Sequence, residues 1–194
     1  MTRIIAGSAK SIALRIPTGT QTRPTTDRVR EALFSALASW FSTSDQAAER
    51  QLAGISVLDL FAGSGAIGLE AASRGAAPVV CVEHNRAAAA MIRSNAAAAK
   101  LQVSVRAERA ERIPGSLAQP VDLVVADPPY DYPGEQLDRL IAQLTPELAP
   151  AALVVLERSS RDPAPNWGPE FSDHWHRRYG ETTLYFATTA EENQ

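Results

Sequence analysis

Gly63, Gly65 and Gly68 follow the apolar run 55–60 with the spacing G-x-G-x-x-G. Glycines at a strand-to-helix turn let the backbone approach a ligand closely, with a helix N-terminus behind it. The acids on either side sharpen this pattern. Asp59 stands before the glycines, where a carboxylate repels a pyrophosphate but pairs with a cationic amino-acid head group. Glu83 follows Gly65 by 18 residues, at the end of the next expected strand, where a carboxylate accepts hydrogen bonds from ribose hydroxyls. Together they suit a nucleoside carrying an amino acid and a sulfonium, S-adenosylmethionine. The sharper rival is a dinucleotide, and the plain alternative is a helix-packing turn.

A second cluster, Asp127-Pro128-Pro129-Tyr130, follows the apolar run 121–126. Two prolines remove two backbone donors and fix the turn. The Pro128 carbonyl is then available as an acceptor beside the Asp127 carboxylate. An exocyclic base amine offers two N–H donors that such a pair can receive. This arrangement turns the nitrogen lone pair toward a methyl donor and favours the charge that develops on it. Tyr130 offers a ring for stacking on a base taken out of its helix. The plain alternative is a rigid turn in which Tyr130 packs.

The elements that carry these clusters alternate. Apolar runs at 55–60, 78–83, 102–106, 121–126 and 152–157 read as strands. Helical spacing covers 67–73, 86–99 and 135–144. Strands alternating with helices predict βαβ units: an α/β, Rossmann-like fold, with a mostly parallel sheet covered on both faces. The segments 174–179 and 182–188 are strand-like with no helix between, so a C-terminal antiparallel hairpin is expected at the sheet edge. His174 and His176 read as one face of a surface strand. Ahead of the sheet, 3–6 and 12–16 read as a small β-hairpin, and a helix opens at Pro24 and Thr25. Residues 42–53 read as a polar connector. The expected division is an N-terminal hairpin-and-helix extension over 1–53 and a catalytic domain over 54–194.

Composition limits the function classes. The 194 residues are 45% hydrophobic and 21% charged, values of a globular chain. No apolar run reaches the ~18–20 residues of a membrane helix. No signal peptide is visible, so a cytoplasmic location is expected. The lone Cys81 excludes an internal disulfide, and no metal site is expected. The net charge is −3, yet residues 1–30 carry a net +5 and the rest −8. A basic arm on an acidic body can neutralise phosphates locally. Lys10, Arg23, Arg28 and Arg30 are the expected RNA contacts. Arg28 and Arg30 project to different sides of the expected helix, and Arg23 has the alternative of closing the cofactor pocket.

The chain resembles the class I S-adenosylmethionine-dependent methyltransferases. Within them it is similar to the bacterial 16S ribosomal RNA guanine-N2 methyltransferases of the small subunit. Residues 3–7 (RIIAG), 59–65 (DLFAGSG), 70–76 (EAASRGA), 127–130 (DPPY) and 178–180 (RYG) with Thr182 carry the resemblance. The stretch 23–31 (RPTTDRVRE) is its family-specific part. The resemblance implies transfer of a methyl group to a guanine N2 amine of 16S rRNA or of the small subunit, with S-adenosylhomocysteine as product. The expected cofactor-binding set is Asp59, Phe61, Ala62, Gly63, Gly65, Glu83 and His84, with Glu108 near the adenine. Asp127, Pro128, Pro129 and Tyr130 hold the guanine. Asn95 is expected to fix a helix end, and Arg158 to form a structural ion pair. A monomer is expected. The rivals are a DNA adenine-N6 methyltransferase, a non-catalytic ribosome-assembly factor of the same fold, and a nicotinamide dehydrogenase.

Overall fold

The structure, a computed structural model, describes residues 2–16 and 27–190. Seven strands form one sheet: β1 (Val57–Leu60), β2 (Val79–Val82), β3 (Ser104–Arg106), β4 (Val121–Ala126), β5 (Leu148–Ser159), β6 (Phe171–Tyr179) and β7 (Thr182–Thr189). Their order is β3-β2-β1-β4-β5-β7-β6. The first five are parallel, and β7 runs antiparallel to both β5 and β6. The strand order reverses between β1 and β4. In an open parallel sheet that reversal leaves a crevice outside the carboxyl ends of the strands.

Alternation along the strands divides the core in two. Val57, Val79, Cys81, Leu123, Val125, Val155 and Phe186 share one cluster with Leu33, Phe34 and Leu37 of helix α1 (Asp27–Trp40). Ile67 and Ala71 of α2 (Ala66–Ser73) and Ile92 of α3 (Arg86–Ala99) join them. Leu58, Leu60, Val124, Ala126 and Leu156 face the other way, onto Leu137, Leu140, Ile141 and Leu144 of α4 (Gly134–Leu144). The sheet is therefore covered on both faces, and its central strands tolerate unbroken apolar runs. At the far edge Trp175 lies between Trp40 and Phe186, with ring centroids 5.0 and 5.2 Å away, which ties the C-terminal hairpin to α1.

The N-terminal hairpin differs from expectation. It has a single antiparallel bridge, Arg3 to Ala13, with Ile4 N donating to Ile12 O and Leu14 N to Thr2 O. Four further donors go to α2 instead of a ladder. Ile5 N and Ala6 N donate to the Glu70 carboxylate at 2.6 and 3.0 Å. Ser8 N donates to Ser73 O at 2.8 Å, and Ala9 N to Ser73 Oγ at 3.0 Å. Gly7 permits this approach, because a Cβ there would stand 1.9 Å from Ser73 O. The connector 42–53 is also more than a polar spacer. Leu52 is buried in the main core, and Gln51 Oε1 receives a hydrogen bond from Arg74 at 2.7 Å.

Candidate functional site

One cavity of about 650 Å³ opens at the carboxyl ends of the central strands. The glycine turn, Glu83, His84 and Asp127 to Tyr130 all line it. The turn at 63–65 and the turn at 127–130, more than sixty residues apart in sequence, therefore share one void. Phe61 adopts a φ of 61°, uncommon for a bulky residue and a local strain that such sites often carry. Its ring meets Tyr132 edge-on at 4.9 Å. Gly65 begins α2 at φ 80°, and a Cβ there would meet Ile92 at 2.8 Å.

Asp59 leaves β1 on the α2 side and is 1% exposed. Its Oδ2 accepts a hydrogen bond from Gly68 N at 2.8 Å. Gly68 itself has no room for a side chain, since a Cβ would stand 2.4 Å from Cys81 Sγ. Burial pushes the Asp59 carboxyl up to about 8, against the lowering effect of the Gly68 hydrogen bond, and the charges of Asp127 and Glu83 add to the rise. An acid held this way at the cavity wall is poised for a cation. Cys81 is fully buried beside it, and that burial pushes its thiol upward.

Glu83 bonds more of the protein than the sequence suggests. Its Oε2 accepts from Gly63 N at 2.9 Å and its Oε1 from Asn85 N at 2.7 Å. Each carboxylate oxygen keeps a further acceptor site, so Glu83 can fix the glycine turn and still receive ribose hydroxyls. His84 stands exposed beside it, Nδ1 3.2 Å from Glu83 Oε1. Glu108 does not reach the main cavity. It lines an adjoining recess with Phe61, His84, Pro129 and Tyr132, and its carboxylate pairs with Arg106. Tyr130 is 70% exposed at the cavity, so its ring is open to a partner.

Several expectations are corrected. Arg30 is 0% exposed, and its guanidinium donates to Arg3 O and to Asp27. It braces the arm from inside and presents no charge to a phosphate. Lys10 and Arg28 are exposed. Arg23 lies outside the described residues. Asn95 sits in the interior of α3 and fixes no helix end, a role taken by Asn85, whose Oδ1 receives Ala87 N and Ala88 N. Asn95 instead clasps the arm: Oδ1 accepts from Arg15 N, and Nδ2 donates to Arg15 O and Ser64 O, at 3.0, 3.0 and 3.1 Å. Arg158 forms the expected ion pair, with Asp162 at 2.9 Å, and also donates to Tyr132 O.

The sequence reading missed Ile16, Tyr132 and Glu157. Ile16 and Glu157 line the cavity, and Tyr132 packs on Phe61 while donating to Glu111 at 2.8 Å. Glu157 ends the expected strand 152–157, but its place beside Asp127 shows only in the pairing of β5 with β4. Ile16 and Tyr132 gave no local signal. Among the described residues, no cluster of histidine, cysteine and acidic side chains is placed to ligate a metal, and no helix is long and apolar enough to cross a membrane.

Five parallel strands, the reversal at β1 and β4, and the terminal antiparallel hairpin define the class I methyltransferase fold. The chain belongs to the family described as conserved hypothetical protein 95, whose model matches residues 2–188. YlbH from Bacillus subtilis is 35% identical over 133 residues, 66% of each chain. A protein named ribosomal RNA small subunit methyltransferase D, from Escherichia coli, is 37% identical over 129 residues, 66% of this chain and 60% of that one. This chain thus spans less than two thirds of the length of these two relatives. The solved structure of yhhF from Escherichia coli superposes with a TM-score of 0.81 at 29% identity, covering 98% of this chain and 99% of that one.

Proposed function

We propose that the protein transfers a methyl group from S-adenosylmethionine to the exocyclic N2 amine of a guanine in 16S rRNA. The observation that carries this reading is the single cavity shared by the glycine turn and the Asp127–Tyr130 turn. The names borne by its relatives favour ribosomal RNA of the small subunit. The lining residues suit the cofactor: Asp59 for its ammonium, Glu83 for its ribose, Phe61 and the recess beside it for its adenine. S-adenosylmethionine supplies an electrophilic methyl group on a sulfonium. Asp127 and the Pro128 carbonyl accept the two N–H groups of the amine, so its lone pair points across the cavity. A nitrogen–carbon bond forms as the sulfur–carbon bond breaks. The Asp127 carboxylate offsets the positive charge on nitrogen until a proton leaves to water.

The direct test is incubation of undermodified small subunits and of free 16S rRNA with labelled S-adenosylmethionine, followed by nucleoside analysis. Label in N2-methylguanosine is expected. Label in an adenine, or none with either substrate, overturns the reading.

Asp59 gives a pH test. An unfolded aspartate ionises at about 3.9, and the folded, unliganded group at about 8. Stability from neutral Asp59 is therefore full below about pH 4 and is lost as pH rises toward 8. A cationic head group favours the ionised form, so affinity for S-adenosylhomocysteine rises between about pH 6 and 8, by up to roughly tenfold per unit, then levels. Calorimetry across that window checks this, and Asp59→Asn flattens the profile. A flat wild-type profile removes Asp59 from the ammonium site.

The arm gives a second test. Lys10 and Arg28 are its exposed cations among those expected to meet RNA. Lys10→Glu with Arg28→Glu weakens subunit binding and lowers the salt slope by roughly one unit per lost phosphate contact. Binding of S-adenosylhomocysteine stays intact. If the double variant binds RNA like the parent at physiological salt, the arm is a solvated surface.

A further inference from the structure

We propose that Glu157 determines base specificity by accepting the N1–H of the target guanine, an inference that rests on the guanine-N2 reading. β4 and β5 are parallel neighbours in which Ala126 faces Leu156. Asp127 follows Ala126 as β4 ends, and Glu157 follows Leu156 within β5, which runs on to Ser159, so the two acidic residues sit at one level next to each other, on strands that neighbour at about 4.8 Å. The preceding partners Val125 and Val155 point into the core shared with α2, and Glu157, two residues on in β5, returns to that face. Asp127 and Glu157 line the same cavity, with Tyr130 beside them.

Two acceptors side by side call for a ligand edge with two donors side by side. Among the common bases, the Watson–Crick edge that joins an amine donor to an adjacent ring N–H is that of guanine, N2 with N1. Adenine and cytosine place an acceptor nitrogen next to their amine. Asp127 takes N2, the atom to be methylated, and Glu157 takes N1–H. Adenine at this site sets its N1 lone pair against the Glu157 carboxylate. A site built on such hydrogen bonds rejects a mismatched analogue far more strongly than apolar contact does, because buried polar groups are left opposed.

The test replaces the mapped target guanosine, by splinted ligation of 16S RNA, with 2,6-diaminopurine riboside. This base keeps the 2-amine but presents an acceptor at N1. The parent enzyme is expected to lose roughly 10²–10⁴-fold in kcat/KM on the analogue. Glu157→Gln can donate to that acceptor or accept from guanine, so the preference for guanine is expected to fall at least tenfold, with the analogue rate rising and S-adenosylhomocysteine affinity unchanged. Parent activity on the analogue within tenfold of guanine overturns the proposal without any variant. So does a Glu157→Gln protein that slows both bases equally, or one that fails to bind S-adenosylhomocysteine, because a structural role then accounts for the residue. Failure of the parent to methylate guanine N2 at all refutes instead the reading beneath it.

Discussion

Asp127→Ala lowers kcat by roughly 10²–10³-fold, with affinity for S-adenosylhomocysteine nearly unchanged. The size is that of removing one preorganised group aimed at developing charge. The selectivity follows from placement. Asp127 follows β4 and is separate from the glycine turn that would hold the cofactor, though both line one cavity, so its carboxylate would act on the amine as positive charge grows. An interaction made mainly in the transition state shows itself as a fall in kcat and kcat/KM together. Tyr130→Ala loses the ring's stacking, about 1–3 kcal/mol per base, and reads out as weaker substrate binding. Tyr130→Phe is mild, since the ring is retained. Steady-state kinetics on small subunits separates these outcomes. A mild Asp127→Ala with a severe Tyr130→Phe reverses the two roles.

Glu70→Ala costs roughly 3–5 kcal/mol of stability, the usual consequence of removing one partner of a buried, hydrogen-bonded ion pair. Glu70 is wholly buried and accepts from Ile5 N, Ala6 N and Arg74 Nε. Its loss leaves two backbone donors of the arm unmet and the nearly buried Arg74 guanidinium without its counter-charge. Arg74 retains Gln51 and lies 4.8 Å above the Phe34 ring, which softens the loss without replacing the charge. For a chain of this size the change lowers Tm by roughly 6–20 °C. Thermal unfolding followed by circular dichroism measures it. A fall of less than ~1 kcal/mol means that the arm is held by its apolar contacts, Ile4 and Leu14 against Leu69 and Ala96, and that the polar strut is incidental.

The parts readable from sequence are those whose cause is local. β4 was bounded to the residue because a central parallel strand is an unbroken apolar run with a proline turn after it. α3 began where Asn85 caps it. β5 was expected at 152–157 but spans Leu148–Ser159, since Pro150 and Ala151, the latter at φ 56°, mask a strand start that pairs only irregularly with β4. The arm has the sequence of a small β-hairpin, while the partners of its donors, Glu70 and Ser73, lie more than sixty residues away. Arg30 illustrates residue type overriding position. It precedes Leu33, Phe34 and Leu37 by three, four and seven, which is the buried stripe of α1, so its spacing already placed it inside. In the site, the glycines and the tetrapeptide announced themselves by composition. Glu157 and Tyr132 became visible only once strand ends were neighbours.

Asn95 joins two segments that the chain keeps eighty residues apart in one case and thirty-one in the other, Arg15 of the arm and Ser64 of the glycine turn. Its amide has one conformation that satisfies all three hydrogen bonds, so order in either segment is felt by the other. Thermodynamic reciprocity fixes the exchange rate: whatever free energy a settled arm adds to ligand affinity at the turn, a ligand at the turn returns to whatever the arm grasps.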